Sequence, residues 1–511
     1  MFTGTLLPYQ VEAVEAMVAR KKMLVAYDLG LGKTVLTIAA LEELAPTEPG
    51  IIICLSSLKY QWAEQIRKFT GGTASPLVID GTKKQRAVQY AEAISGKYTH
   101  IILNYEQVVN DWDDGVNGLP KGFVVCDEAT AIKSFRSKRS KYVKKLESPI
   151  RFALTGTPIE NGKPEELYSI MEFVDKKVLG RFDLFDKTFI VRNHFGGVQS
   201  YRNLSTLSAK MKEASVRKRQ QDPDVAPYLP DTIFAEPILV EFDSAGAKLY
   251  KHIARELLED LDEAVDSFGS SFDLFSHYSG ENTNPIMDAL KGKVMSKLTA
   301  LRMLCDHPEL VLNSRATSKY VGELEEAGKL DKISRSTKLE TLKEYVDNFL
   351  DQDDNNKVVI FTSYVHMVHL IRENLQYASA GYTGEMDAKA KESAKVRFQT
   401  DPDCRILVSS DAGGYGVDLP QANLLINYDL PWNAGLAIQR NGRIRRASST
   451  WPSIVIQDFL MEGSIEERQH DMLVQKTSVA NAIIDGEGIN EAGGVNLTVG
   501  TLRAFLENVS V

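Results

Sequence analysis

Five residues near the N-terminus have the types and spacing of a phosphate-binding loop. They lie between an apolar run and a helical pattern, in the stretch YDLGLGKTVLT (27–37), and they are Gly30, Leu31, Gly32, Lys33 and Thr34. In such a loop, backbone N–H groups and the helix N-terminus hold phosphate oxygens, the lysine reaches the β and γ phosphates, and the hydroxyl binds Mg²⁺. The full pattern has a glycine where this chain has Tyr27. The loop predicts a nucleoside triphosphate as ligand, but not the task that its hydrolysis drives.

Two adjacent carboxylates end another apolar run. In FVVCDEAT (123–130), we expect Asp127 to hold the magnesium through water and Glu128 to position and deprotonate the attacking water. A lone pair of this kind is usually a solvated strand end, but beside a phosphate loop in the same sheet the catalytic interpretation is favoured. LTGTP (154–158) ends the next run, where it either couples the nucleotide site to a second domain or forms a plain turn.

Arginines in QRNGRIRR (439–446) could complete this chemistry. Arg443 and Arg446 are three residues apart, so on a helix they would share one face. An arginine that stabilises charge on a transferred phosphoryl group can supply about 10³–10⁵ in rate. Without the phosphate loop, a solvated basic helix end would be the preferred interpretation.

The elements that would position these residues belong to two α/β regions. Apolar runs that read as buried strands alternate with helical patterns, and they are MLVAY (23–27), IIICL (51–55), HIIL (100–103), FVVC (123–126) and RFAL (151–154). This alternation predicts a parallel, doubly wound sheet. PILVEF (237–242) is an isolated strand that could close the first sheet. The alternation breaks in a mostly helical stretch and returns at KVVIF (357–361), RILVS (405–409), NLLIN (423–427) and SIVIQDF (453–459).

The pattern divides the 511 residues into four parts. We predict a first lobe at 1–245 with a helical protrusion at about 160–225, a helical insertion at 246–335, a second lobe at 336–470, and a helical tail at 471–511.

Composition narrows the setting of the protein. We find no run of 18 apolar residues and no basic-then-apolar start, so we expect neither a membrane span nor a secretory signal. The four cysteines, at 54, 126, 305 and 404, form no CxxC pair and predict reduced core thiols and a cytoplasmic location. We find no chromatin-reading module, zinc finger or nuclease motif, which suits a bacterial or viral-host setting. Cys305 and His307 have no second ligand pair, so a packed helix end is favoured over a metal site.

The ordered set of motifs resembles the superfamily-two helicases, and further segments resemble their Swi/Snf-like ATPase branch. These segments are LLPYQVEAV (6–14), LSSLKYQWAEQIRKF (55–69), LNYEQV (103–108), LRMLCDHPEL (301–310), STKLETLKEYV (336–346), NYDLPWNAGLAIQRNGRIRR (427–446) and GSIEER (463–468). The resemblance covers roughly residues 5–470 and implies two RecA-like lobes with ATP and Mg²⁺ between them. It implies that Gln10 reads adenine and that Gly416, Asp418 and Gln439 join the nucleotide site. In that branch the first glycine of the loop is commonly replaced, as it is by Tyr27.

The sequence departs from the branch where DEAT replaces DEAH or DEGH, which puts in doubt how tightly nucleic acid is coupled to hydrolysis. In the family, loops at the carboxyl edges of the sheets track the nucleic acid. On this chain the residues implied are Ser56, Lys59, Asn104, Tyr105, Thr362, Ser410, Gly413 and Trp432. Two basic runs, KSFRSKRSKYVKK (133–145) and KMKEASVRKR (210–219), either contact phosphates or form solvated helices. The net charge of −9 argues against a nucleic-acid partner unless basic residues cluster locally.

The resemblance predicts an ATP hydrolase that translocates on double-stranded DNA, acting as a monomer without obligatory strand separation. Single-stranded DNA or RNA stays open as the substrate. Two alternatives stay open at this stage: a strand-separating helicase on DNA or RNA, and a degenerate ATP-dependent clamp or scaffold.

Overall fold

The computed structural model describes residues 2–193, 197–270, 285–314, 317–330, 335–411, 417–486, 492–493 and 498–507. The strands are β1 Lys22–Tyr27, β2 Gly50–Cys54, β3 Pro76–Val78, β4 His100–Asn104, β5 Val124–Asp127, β6 Arg151–Leu154, β7 Ile190–Arg192, β8 Val198–Tyr201, β9 Ser215–Lys218, β10 Asp231–Phe234, β11 Ile238–Val240, β12 Val358–Thr362, β13 Ser379–Tyr382, β14 Ile406–Ser410, β15 Leu424–Asn427, β16 Ser453–Met461 and β17 Ala492–Gly493.

The helices are α1 Pro8–Arg20, α2 Lys33–Leu44, α3 Lys59–Phe69, α4 Lys83–Ile94, α5 Tyr105–Asn110, α6 Lys138–Val143, α7 Pro164–Val174, α8 Lys176–Leu179, α9 Phe182–Phe189, α10 Leu204–Lys212, α11 Ser244–Phe268, α12 Pro285–Asp306, α13 Pro308–Leu312, α14 Ser318–Glu326, α15 Thr337–Leu350, α16 Val365–Asn374, α17 Ala388–Thr400, α18 Ala434–Asn441, α19 Ile465–Ile484 and α20 Val499–Leu506. No helix in the ranges given above is both long and apolar enough to cross a membrane.

The first lobe is a parallel sheet in the order β3-β4-β2-β5-β6-β1-β9. Each of the five strands predicted for this lobe is present, and their apolar runs are buried on both faces, as expected for a parallel sheet covered by helices. Because all the strands run the same way, their carboxyl ends share one edge. This edge brings the phosphate loop after β1 close to Asp127 at the end of β5.

The second lobe is a parallel sheet in the order β10-β16-β15-β12-β14-β13, with β11 also pairing with β16. Its four predicted strands are present, so the α/β class with two parallel-sheet lobes is confirmed.

The prediction that PILVEF would close the first sheet is wrong, because Ile238–Val240 pairs with Phe459–Met461 of the second. The free edge beside β1 is taken by β9 instead. The change of lobe therefore lies upstream of Asp231 and not at residue 245, while the other divisions stay predictions.

The segment after the second sheet connects both lobes. Helix α19 begins at Ile465, earlier than the tail predicted from 471, and its first half packs into the core of the second lobe through Met472. Its last turns, including Val479 and Ile483, pack into the core of the first lobe. Beyond it, β17 pairs with β8, and α20 packs on α11. The described part of the tail therefore packs against both lobes.

All four cysteines are buried free thiols, as predicted. His307 accepts a hydrogen bond from the N–H of Glu309 at 3.2 Å and caps α13, which confirms a packed helix end. Within the described ranges, no group of three or more His, Cys, Asp or Glu side chains could hold a metal ion by itself.

Candidate nucleotide site between the lobes

The phosphate loop has the backbone of an anion cradle. Gly30 and Gly32 have φ values of 79° and 83°, in the left-handed region that favours glycine, and no side chain caps α2. Lys33 Nζ donates to the carbonyls of Tyr27 at 2.8 Å and Asp28 at 3.1 Å, so the ammonium group folds back over the loop. Burial lowers the pKa of Lys33, and the carboxylates of Glu128 and Asp127 oppose that shift.

Tyr27 replaces the first glycine without disturbing this loop. It ends β1 and is not among the residues with positive φ, so the position does not require glycine. Its side chain is buried, and its hydroxyl donates to the carbonyl of Tyr9 at 2.6 Å. The departure from the loop pattern is therefore a core substitution and removes no phosphate ligand.

Gln10 lies directly beside the loop. Its Nε2 donates to the carbonyl of Leu31 at 3.0 Å, and its Oε1 accepts from the N–H of Leu7 at 2.9 Å. The side chain thus ties the start of α1 to the phosphate loop. Adenine recognition by Gln10 stays a prediction.

Asp127 and Glu128 lie at the end of β5 with different surroundings. Asp127 Oδ2 accepts from Trp62 Nε1 at 2.8 Å, and Oδ1 accepts from the N–H of Glu128 at 3.0 Å. Burial raises the pKa of Asp127. Glu128 has a φ of 50°, and its Oε2 is buried with no hydrogen-bond partner. Burial, followed by the charge of Asp127, raises the pKa of Glu128 to about 7, the range that suits a general base.

The two arginines of the second lobe reach this site. Arg446 Nη1 lies 3.0 Å from the position that a Cβ on Gly30 would occupy, and Nη2 lies 2.6 Å from Asp418 Oδ1. Arg443 is buried, and its charge acts to lower the pKa of Glu128. The structure therefore brings together Lys33, Glu128 and both arginines. Gln439 is buried in α18, while Gly413 and Gly416 lie outside the described residues.

Glu160 connects the lobes at this site and was not identified from the sequence. Its carboxylate pairs with Lys133 of the first lobe, and Oε2 accepts from Asn433 Nδ2 of the second lobe at 3.1 Å. Gly435 also donates its N–H to the Glu160 carbonyl at 3.3 Å. Its place two residues after TGTP, the segment suspected of coupling the domains, was the available signal.

Arg440 is a second residue that sequence reasoning missed. It is buried in α18 and pairs with Asp411 at 2.6 Å and Asp429 at 3.4 Å. Asp429 also accepts from the N–H of Ser363 at 2.7 Å. Arg440 therefore fixes the carboxyl edge of the second sheet through Asp411 and Asp429.

Three residues predicted to touch nucleic acid use their side chains inside the protein, and their contact with nucleic acid stays a prediction. Lys59 is buried and donates to the Ile79 carbonyl at 2.8 Å and to Asp80 at 3.0 Å. Tyr105 is buried and donates to the Asp127 carbonyl at 2.6 Å, and Thr362 donates to Asp429 at 2.5 Å. Because these three side chains are buried and form hydrogen bonds within the protein, only the backbone of these residues could contact a ligand.

The other predicted contact residues differ in exposure. Ser56 is exposed, Asn104 caps α5, Ser410 is buried, and Trp432 lies 5.4 Å from the Arg302 guanidinium. Contact with nucleic acid at these positions stays a prediction.

Both basic runs are partly neutralised by ion pairs. In the first run, charged partners accompany Lys133, Arg139 and Lys144. In the second, Arg217 pairs with Asp28 at 2.5 Å and Asp485 at 2.8 Å. Lys218 pairs with Asp224. These pairs reduce the local positive field, so phosphate contact by the runs stays a prediction.

The site fits a magnesium nucleotide. The glycine loop, the lysine and the uncapped helix start suit phosphate. Glu128 has a buried oxygen without a hydrogen-bond partner, and the charges of Lys33 and Arg443 act on this carboxylate. Thr34 would bind the ion directly and Asp127 would hold it through water, in keeping with the preference of Mg²⁺ for few carboxylates and several phosphate or water oxygens.

Comparison with known families identifies the class and then the family. Residues 9–310 match the SNF2-related domain, and residues 337–448 match the helicase conserved C-terminal domain. Together, the two domains are those of the ATPases of helicase superfamily two. The chain belongs to the SNF2-related family, the Swi/Snf-like branch of that superfamily.

The relatives are distant but cover nearly the whole chain. The Bacillus subtilis protein YwqA, an ATP-dependent helicase/translocase by name, is 25% identical over 498 residues, which are 95% of this chain and 49% of YwqA. The human DNA repair and recombination protein RAD54-like is 24% identical over 504 residues, covering 91% of this chain and 63% of that protein. The chain thus spans about half of the length of YwqA and less than two thirds of the length of the RAD54-like protein.

Among solved structures, the Sulfolobus solfataricus SWI2/SNF2 ATPase core in complex with double-stranded DNA is 23% identical, with a TM-score of 0.42 and coverage of 100% of this chain and 98% of the other.

Proposed function

We propose that the protein is an ATP-dependent translocase that moves on double-stranded DNA without obligatory strand separation. The observation that carries the proposal is the composite site: Lys33 and Glu128 come from one lobe, and Arg443 and Arg446 come from the other. A site divided in this way works only when the lobes are together, so each hydrolysis cycle can change the distance between them.

The residues divide the chemistry among themselves. The magnesium nucleotide supplies the phosphoryl group and the metal charge when it is bound. Lys33 exchanges its two backbone carbonyl partners for phosphate oxygens, Thr34 and Asp127 hold the metal, and Glu128 accepts the proton of the attacking water. Arg443 and Arg446 neutralise charge on the transferred group, a contribution that in related enzymes amounts to about 10³–10⁵ in rate.

Movement would follow from the contacts between the lobes. Glu160 with Asn433, and Gly30 with Arg446, bridge the two lobes at the carboxyl edges of their sheets. We propose that loss of the γ phosphate weakens this closed state, and that alternating closure and opening advances the duplex held along the same edges. The names of the relatives, a helicase/translocase and a DNA repair protein, support this choice of substrate.

Steady-state ATP hydrolysis with different nucleic acids tests the proposal. Turnover is measured with no nucleic acid, single-stranded DNA, duplex DNA and duplex RNA at two salt concentrations, for wild type and Lys33→Ala. We expect the largest stimulation with duplex DNA, a weaker stimulation at the higher salt concentration, and no turnover in the variant. The logarithm of the apparent DNA affinity should fall with the logarithm of the salt concentration, with a slope of about 0.9 per neutralised phosphate. Turnover that ignores every nucleic acid would contradict the proposal, and absent turnover with retained DNA binding would favour the clamp.

Strand separation is tested apart from translocation. A third strand paired to a long duplex is displaced by a translocase, whereas a forked duplex is opened only by a strand-separating helicase. We expect ATP-dependent displacement of the third strand and an intact fork. Opening of the fork would establish the helicase alternative.

A further inference from the structure

Two aromatic side chains connect the predicted nucleic-acid edge to the magnesium-binding aspartate. Trp62 Nε1 donates to Asp127 Oδ2 at 2.8 Å, and the Tyr105 hydroxyl donates to the backbone carbonyl of Asp127 at 2.6 Å. Both side chains are buried. Trp62 lies on α3 after β2, and Tyr105 is the first residue of α5 after β4. These are the two segments of the first lobe for which nucleic-acid contact is predicted.

Trp62 holds one oxygen of the Asp127 carboxylate. Asp127 Oδ1 is held by the N–H of Glu128 at 3.0 Å, so with Trp62 on Oδ2 each oxygen has one donor. A carboxylate held at both oxygens keeps one orientation, which leaves its remaining lone pairs in fixed directions. A displacement of α3 would move the indole donor and rotate this group.

Tyr105 is hydrogen-bonded to the peptide that joins the two acidic residues. Its hydroxyl holds the carbonyl of Asp127, and the next residue, Glu128, has the left-handed φ of 50°. A non-glycine residue keeps this conformation only where its surroundings impose it. The phenol is one such restraint, and it therefore helps to aim Glu128, whose Oε2 lacks a partner.

The two helices are hydrogen-bonded to the same backbone carbonyl. Lys59 Nζ of α3 and Gln107 Nε2 of α5 both donate to the carbonyl of Ile79, at 2.8 and 3.0 Å. The guanidinium of Arg139, from the first basic run, lies 5.8 Å from the centre of the Tyr105 ring. A duplex that contacts the loops before α3 and α5, or Arg139, could therefore displace these helices and with them the hydrogen-bond donors of Trp62 and Tyr105.

We propose that Trp62 and Tyr105 are positioning residues through which nucleic acid at the edge of the first lobe adjusts Asp127, the residue expected to hold the magnesium through water. They act through their hydrogen bonds to Asp127. This inference rests on the proposed function, because it requires that nucleic acid binds at this edge.

Conservative variants remove each donor. Trp62→Phe removes the indole N–H, and Tyr105→Phe removes the hydroxyl while the ring stays. The matched control is Tyr90→Phe in the same lobe: Tyr90 is also buried, and its hydroxyl donates to a different carboxylate, Asp111, at 2.9 Å. The control therefore loses a buried tyrosine–carboxylate hydrogen bond away from Asp127.

The readout is the binding of a fluorescent ADP analogue at a series of Mg²⁺ concentrations, with and without duplex DNA, which requires no turnover. In wild type we expect DNA to change the half-saturating Mg²⁺ concentration about five-fold or more. Trp62→Phe should raise that concentration about ten-fold without DNA, the usual effect of losing a partner of a metal ligand. Tyr105→Phe should reduce the DNA-dependent change to less than about two-fold. Tyr90→Phe should behave as wild type in both measurements.

Thermal unfolding of the same variants separates a positioning role from a structural one. If all three variants lose similar stability and none alters the Mg²⁺ dependence, the hydrogen bonds only stabilise the fold and the inference is overturned. If wild type binds and is stimulated by duplex DNA but its Mg²⁺ dependence does not respond to DNA, the inference fails while the proposed function stands. If no nucleic acid binds or stimulates the wild type, the proposed function fails as well.

Discussion

Arg446 of the second lobe lies directly against Gly30 of the first. Its Nη1 and Cδ are each 3.0 Å from the position that a side chain on Gly30 would occupy. Any Cβ at this position must displace the arginine, so the glycine serves two purposes: it permits the left-handed φ of 79°, and it admits the arginine into the phosphate loop.

Gly30→Ala is expected to reduce the turnover of ATP and to cause only a small loss of stability. The added methyl group would shift Arg446 by a few tenths of an ångström. We therefore expect kcat to fall about 10-fold, less than the roughly 100-fold cost of a displacement of about 1 Å in a catalytic group. The control is Gly72→Ala, because Gly72 has the same φ of 79° with nothing within 4 Å of its Cβ position. Both variants should lose about 1 kcal/mol of stability. Equal kcat values in the two variants would exclude the steric role.

Arg443→Lys should lower kcat while nucleotide binding is retained. A lysine keeps the charge but lacks the planar fork of the guanidinium, so stabilisation of the transferred phosphoryl group would fall by about 10²–10³. Binding of an ADP analogue should change less than about three-fold, because the arginine acts mainly on the transition state. Arg181→Lys, at an exposed position, is the control. A large loss of ADP binding with unchanged kcat would assign Arg443 to ground-state binding instead.

Asn433 offers a way to disfavour closure of the lobes without altering a catalytic group. In Asn433→Asp, the donor to Glu160 Oε2 becomes a carboxylate, so attraction across the lobe interface becomes repulsion. The new side chain can still cap α18, as the Asn433 side-chain Oδ1 does now by accepting from the N–H of Leu436. We expect a larger radius of gyration by small-angle scattering and a higher KM for ATP.

Asn433→Ser separates repulsion from simple loss of the contact. Serine also caps helices but carries no charge, so its effect on the radius of gyration and KM should be smaller. If aspartate and serine have the same effect, charge at this contact does not govern closure.

The parts of the fold that could be predicted are those with local patterns. The continuous apolar run Ile51–Ile53 in β2 predicts a buried strand of a parallel sheet, and the spacing of the glycines predicts the phosphate loop. The sheet joined by Ile238–Val240 could not be predicted, because strand pairing depends on residues more than 200 positions away. The role of Trp62 was hidden for a similar reason: on an amphipathic helix a core tryptophan looks the same whether or not its N–H has a distant partner.

Lys338 provides a strong test of stability in the second lobe. Its ammonium is fully buried, 2.6 Å from Glu466 Oε1 and 3.1 Å from Asp306 Oδ1. Both acids lie in segments that resemble the family, although the resemblance did not assign them a role. Lys338→Met would leave two buried carboxylates unpaired, and we expect a loss of about 3–5 kcal/mol in the free energy of unfolding.

A double variant tests whether the loss comes from uncompensated charge. Adding Glu466→Gln to Lys338→Met removes one of the two unpaired carboxylates, so part of the lost stability should return. Additive losses in a denaturant titration of the two single variants and the double variant would exclude an interaction between these residues.

His100 should make the protein sensitive to mild acid. Its ring packs 5.2 Å from that of Phe123, its Nε2 is buried without a partner, and burial lowers its pKa to about 4. A histidine with a depressed folded-state pKa is neutral in the fold but takes up a proton in the unfolded chain below a pH of about 6.5. Its contribution to stability is therefore present above that pH and is lost as the pH falls toward 4, amounting to about 2 kcal/mol between pH values of about 7.5 and about 5.

His100→Gln should abolish this part of the pH dependence of the free energy of unfolding, whereas His369→Gln, at an exposed position, should keep it. Identical pH profiles for wild type and His100→Gln would show that the imidazole is protonated within the fold.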